Sequence, residues 1–101
     1  MKTTPKTLRP DHRYLKIKMD ADESRNFSEA VKLVKSAIKA FSGEKGLAKT
    51  DPWLVKDHFD FEKQIAVVRI RRGSENLFRA SIASSNTRIY TLSASGTQES
   101  L

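Results

Sequence analysis

The spacing of apolar residues changes period several times along this chain, and the order of those changes leaves few folds open. Tyr14-Leu15-Lys16-Ile17-Lys18-Met19 alternates strictly. Leu15, Ile17 and Met19 therefore share one side of a strand, and Tyr14, Lys16 and Lys18 share the other. Asp20 to Asn26 is polar and ends that strand. Phe27, Ala30, Val31, Val34, Ala37, Ile38 and Phe41 then recur at three-and-four spacing, which predicts an amphipathic helix. Lys32, Lys35, Ser36 and Lys39 fall off its apolar stripe. Asn26 or Ser28 is the expected N-cap, and Glu29 three residues after Asn26 makes a capping box. Gly43 and Gly46 are the expected stop.

Pro52 introduces Trp53-Leu54-Val55-Lys56-Asp57, a short second strand that suits a sheet edge because proline lacks a donor. Trp53, a single tryptophan beside a proline, is expected to anchor by packing, in the core or at an interface. Asp57 to Lys63 reads as a polar connection holding Phe59 and Phe61. The β-branched run Ile65 to Ile70 is a third strand, with Arg69, Arg71 and Arg72 at its end. Gly73-Ser74 opens a second helix with Ser74 as N-cap and Leu77, Phe78 and Ile82 as its buried side. Arg88 to Leu92 is the fourth strand, and Ser93 onward is small and polar. The order is β-α-β-β-α-β, an α+β chain of the ferredoxin-like or RNA-recognition-motif-like kind. Both helices then cover one face of a four-stranded antiparallel sheet. One domain over residues 14–93 is expected, after a flexible basic arm over 1–13 and before a short polar tail over 94–101.

That topology sets the first and third strands side by side, with Tyr14, Lys16 and Lys18 on the open face. If Ala66, Val68 and Ile70 point inward, Ile65, Val67, Arg69 and Arg71 point out, and Arg88 and Tyr90 share one parity on the fourth strand. Cations for phosphates beside rings for an occasional stacked base suit an RNA surface. The third strand lacks the aromatic pair of a true RNA recognition motif, so phosphate and shape contacts are expected rather than base reading. The same residues also fit a solvated sheet face, where Lys and Arg discourage edge pairing.

The charge favours a polyanion. Nineteen Lys and Arg against twelve Asp and Glu leave +7, and such a balance draws nucleic acid through counterion release. Acidic proteins and anionic lipid would be drawn too, but no amphipathic N-terminal helix supports the lipid. The chain has no cysteine, no secretory leader pattern and no long apolar run, so a soluble, cytoplasmic protein is expected. Catalytic constellations are missing. His58 with Asp57, Asp60 and Glu62 crowds one turn in the manner of ordinary surface carboxylates, and Ser93, Ser95 and Ser100 have no neighbouring base. Ser95-Gly96-Thr97 reads as a turn.

Several segments together resemble the archaeal ribonuclease P protein component 2 family, related to the eukaryotic Pop5 subunit. They are Thr7-Leu8-Arg9 ahead of Arg13-Tyr14-Leu15, Pro52-Trp53-Leu54 with Val55-Lys56, Val67-Val68-Arg69, and Thr91-Leu92-Ser93-Ala94-Ser95-Gly96-Thr97. Their order and spacing agree across nearly the whole chain. The resemblance implies a non-catalytic, RNA-binding subunit of an endoribonuclease whose catalyst is RNA. That enzyme is a hydrolase that matures the 5′ end of precursor tRNA. It implies magnesium at an RNA-built site, no cofactor on this chain, and as partners ribonuclease P RNA, ribonuclease P protein component 3 and the complex's other proteins. Binding roles carry over to Arg13 and Arg69. With the open face, the expected RNA-binding set is Arg13, Tyr14, Lys16, Lys18, Arg69, Arg71 and Arg88.

The resemblance departs at the end. Family members commonly continue past Ser-Gly-Thr into a basic helix, whereas Gln98-Glu99-Ser100-Leu101 closes this sequence with a net acidic tip. RNA contact is therefore expected from the sheet face and the arm. The competing expectation is a ferredoxin-like protein-interaction module with Trp53, Phe59 and Phe61 as its docking patch. A stand-alone nuclease lacks any base or metal set.

Overall fold

The computed structural model describes residues 12–20, 24–85 and 88–95. The strands are β1 (His12–Met19), β2 (Trp53–Leu54), β3 (Ile65–Arg71) and β4 (Ile89–Ser95). The helices are α1 (Phe27–Thr50) and α2 (Glu75–Ala83), and a 3₁₀ turn spans Lys56–His58. The sheet order is β2-β3-β1-β4, antiparallel throughout. This is the expected ferredoxin-like plan with β1 and β3 central and β2 at an edge.

Alternation places the core. Leu15, Ile17 and Met19 of β1 and Ala66, Val68 and Ile70 of β3 are all 1% exposed or less. They meet Ala30, Val34 and Ile38 of α1 and Phe78 and Ile82 of α2. Phe41, expected in the same stripe, is 48% exposed. Leu77 is likewise only half-buried.

The start of α1 matches its sequence signature. Asn26 Oδ1 accepts the Glu29 N–H at 2.8 Å, and Glu29 Oε1 accepts the Asn26 N–H at 2.9 Å. Its end does not match. Gly43 breaks the helical geometry (φ 73°, ψ −171°), but helical turns resume and run to Thr50. Contacts override the stop signal there: Gly46 and Thr50 are buried, and Thr50 Oγ1 donates to the Gly46 carbonyl at 2.8 Å. A Cβ on Gly46 would collide with the Ser42 side chain, so this glycine permits a close approach and does not end the helix. Asp51 in the left-handed region (φ 47°, ψ 60°) makes the actual stop.

Three further corrections follow from pairing. The second strand is two residues long, because the chain turns into the 3₁₀ segment after Val55 donates to the Val67 carbonyl (2.9 Å). Ser74 occupies the N-cap position of α2 without a side-chain cap; its hydroxyl donates to the Lys49 carbonyl (3.2 Å), and Glu75 Oε1 accepts the Gly73 N–H (2.7 Å). The fourth strand runs on through Ser95, because Ala94 and Ser95 pair with Leu15 and Tyr14. Apart from His12, Arg13, Ala94 and Ser95, the expected arm and tail lie outside the described residues.

Candidate nucleic-acid interface

Pairing partners in an antiparallel sheet project from the same face, so the register assigns the open face residue by residue. Opposite β1, His12 meets Arg71, Tyr14 meets Arg69, Lys16 meets Val67 and Lys18 meets Ile65. Trp53 of β2 stands opposite Arg69. On the other flank Ser95, Ser93 and Tyr90 stand opposite Tyr14, Lys16 and Lys18. A register shift lies between Lys16 and Ile17, where β4 advances from Thr91 to Ser93. The extra residue is Leu92, 49% exposed, and the bulge turns it and Ser93 out together.

Along the strands this face carries Lys16, Lys18, Arg69 and Arg71 and no Asp or Glu. Five expected residues therefore come together: Tyr14, Lys16, Lys18, Arg69 and Arg71. Their availability differs. Lys18 Nζ donates to the Lys63 carbonyl at 3.1 Å, and Arg71 Nε lies 3.8 Å from Asp51 Oδ2, both side chains being well exposed. An exposed pair of that length holds weakly. Lys16 has no hydrogen-bond or ion-pair partner among the described residues, and Arg69 has no carboxylate among them.

Two expected residues stand apart. Arg13 has the parity of Leu15, so it points to the helix side, where its Nε lies 3.7 Å from Glu75 Oε2 near the start of α2. Arg88 is exposed just before β4. Among the described residues no group of three His, Cys, Asp or Glu that could hold a metal ion occurs, so Asp57, His58, Asp60 and Glu62 do not converge.

Trp53, expected to anchor by packing or to join an apolar docking patch, stands instead beside the cations of the open face. It is 62% exposed rather than in the core, and the Arg69 guanidinium carbon sits 5.7 Å from its ring centroid, within cation–π range. Its parity followed from Leu54 pointing inward, but a two-residue strand shows no period to read. The docking patch expected of Trp53, Phe59 and Phe61 is split: Phe59 packs inward, edge-on to Phe27 with centroids 5.8 Å apart, while Trp53 and Phe61 stay exposed.

A family model described as Rpp14/Pop5 matches residues 13–100. The chain belongs to the Rpp14/Pop5 family. Relatives named ribonuclease P protein component 2 agree with that placement. The Methanocaldococcus jannaschii protein is 34% identical over 82 residues, 81% of this chain and 58% of that protein. The one from Methanococcus maripaludis is 30% identical over 86 residues, 85% of this chain and 63% of that protein. The Pyrococcus furiosus protein is 37% identical over 71 residues, 70% of this chain and 58% of that protein. The matched region thus spans about three-fifths of these relatives' length. A chain in a cryo-EM structure of yeast ribonuclease MRP superposes with a TM-score of 0.70 at 17% identity, covering 96% of this chain and 79% of that one. At that identity it speaks for the fold alone.

Proposed function

We propose that this chain is a non-catalytic, RNA-binding protein subunit of ribonuclease P, assisting a catalytic RNA in 5′-end maturation of precursor tRNA. The observation that carries the reading is the open sheet face, where four cations and a tyrosine gather with no strand carboxylate among them. Such a surface neutralises phosphates without reading sequence. Family membership supports a ribonucleoprotein assembly, and the partners in this reading are ribonuclease P RNA, the component 3 protein and the complex's other proteins, in the archaeal cytoplasm. No helix among the described residues is long and apolar enough to cross a membrane. The magnesium ions of the reaction belong to the RNA site, and no residue of this chain is assigned to them.

Precursor-tRNA cleavage by a related archaeal ribonuclease P RNA, with component 3 present and this chain added or omitted, tests the reading. Stimulation at limiting magnesium is expected. A folded chain that leaves the rate unchanged, where a known homologue raises it, would overturn the subunit role. A protein-interaction module has one specific observation in its favour. Tyr90 and Leu92, 53% and 49% exposed, make the β4 flank of the open face apolar, which suits the protein partner rather than the RNA.

A further inference from the structure

The pair of Trp53 and Arg69 at the β2 flank is placed by the core and serves no part of it. Leu54 is 5% exposed opposite Val68 at 0%, and this inward pair fixes the register that sends Trp53 and Arg69 outward opposite each other. The result is a large apolar ring left 62% in solvent on an edge strand. Beside it lies a guanidinium whose Nε is buried with no hydrogen-bond acceptor among the described residues. Both features are unfavourable in the free protein, since an exposed indole forgoes burial and a shielded donor is left unmade. Tyr14, next in the same row, has no side-chain hydrogen-bond partner among the described residues, and Lys16 lies one row along.

We infer that Trp53 and Arg69 form a stacking site for one unpaired RNA base, with Arg69 and Lys16 holding the phosphates that flank it. The inference rests on the RNA-binding reading above and adds the site and the ligand class: a single-stranded or flipped-out nucleotide rather than a helical groove. An indole face accepts any base, and a guanidinium already lying against the ring can follow the base's phosphate while keeping its π contact. Charge sets the polarity of the site. The hollow beside Trp53, toward Leu47 and Pro52, carries Glu44 and Asp51 against one cation, Lys35, so the backbone of the RNA runs over the Arg69–Lys16 side, where no strand residue is acidic. Trp and Arg also anchor protein interfaces. The carboxylate-free cationic row beside Trp53 favours the nucleotide.

Trp53 is the chain's one tryptophan, so its emission reports this site and nothing else. A short fluorescein-labelled oligouridylate, single-stranded or paired with oligoadenylate, is titrated at low salt. Anisotropy reads binding, and a parallel titration with unlabelled RNA reads Trp53 emission. The expected result is quenching by the single strand and little by the duplex. Trp53→Ala should weaken single-strand binding by about 5- to 100-fold, and Trp53→Phe should retain part of it. Arg69→Lys, which keeps the charge and loses the planar fork, should weaken binding and reduce quenching. Because Trp53 is exposed, these variants should melt as the wild type does. Binding by anisotropy with unchanged emission and an unaffected Trp53→Ala variant would overturn the stacking site and leave the RNA-binding reading standing. No binding of either RNA, or of ribonuclease P RNA, would remove both. Emission that responds to component 3 and not to RNA would make Trp53 a protein anchor and overturn the inference.

Discussion

Salt dependence of RNA affinity is the prediction that the open face makes most quantitatively. Each phosphate neutralised on a single strand contributes roughly −0.7 to the slope of log affinity against log salt. Lys16 and Arg69 have no competing ion pair among the described residues, whereas Lys18 is engaged by the Lys63 carbonyl and Arg71 by Asp51. The number of phosphates that the open face engages therefore lies between two, if only the first pair engages, and four, if the other two exchange partners. The face's share of the slope should fall between about −1.4 and −2.8, which lowers affinity about 7- to 50-fold between about 50 and 200 mM salt. Replacing both available cations, Lys16→Gln with Arg69→Gln, should make the slope shallower by about 1.4. Fluorescence anisotropy of labelled ribonuclease P RNA or oligouridylate across a salt series reads this directly. The matched comparison is Lys32→Gln on α1 with Arg79→Gln on α2, both exposed, which removes the same charge from the helix layer and should leave the slope in place. A wild-type slope in the sheet variant, or a shallower one only in the helix variant, would mean that RNA lies on the helices and that the sheet-face argument is wrong.

Three stability predictions probe how the face is held. Phe78→Ala removes the largest fully buried side chain and should cost about 3–5 kcal/mol in urea unfolding; under about 1 kcal/mol would contradict its central placement. Gln64→Leu should cost about 1–3 kcal/mol, because the Gln64 side chain bonds the Arg25 N–H, the Arg25 carbonyl and the Phe61 carbonyl at 2.9, 3.1 and 2.6 Å. Faster amide exchange at Arg25 in that variant is the specific readout, and an unchanged rate would refute the role. Gly43→Ala meets no atom within 4 Å, so only the backbone conformation at φ 73°, ψ −171° opposes it. Thermal melting should show about 1–3 kcal/mol of strain, and a neutral result would show that α1 straightens there at no cost.

What was legible in the sequence was whatever left a period. Leu15, Ile17 and Met19 alternate with Tyr14, Lys16 and Lys18, so both the core and the cationic edge of β1 could be written down before any coordinates. The same parity sends Arg13 to the helix side beside Glu75, away from the open face. Val67 shows a limit of the rule: it is on the outward parity yet 3% exposed and outside the main core cluster, because neighbours on the open face cover it. Gln64 left no signal at all. Its role depends on a left-handed backbone (φ 54°) and on partners 39 residues away at Arg25. The bulge at Leu92 is similarly silent, since Thr91-Leu92-Ser93-Ala94 alternates as an ordinary strand would. Gly46 misled as a stop signal because its function is close approach to Ser42, which only the folded chain reveals.

The core and the candidate interface are held by the same constraint, and that has a consequence for how binding should proceed. Moving Trp53 and Arg69 off the open face requires a one-residue slip of β2 and β3, which carries Leu54 and Val68 out of the core with them. Exposing two such side chains costs about 1.5–3 kcal/mol each, a large part of the roughly 5–15 kcal/mol that holds a domain of this size together. The sheet therefore cannot rearrange to meet a ligand and has no need to. Trp53, Arg69 and Lys16 already project from one face of the sheet, and only side-chain torsions remain to be fixed. Weakening of RNA binding by substitutions at Trp53 and Arg69 should then appear mainly as faster dissociation, with association set by the long-range field of the cationic face.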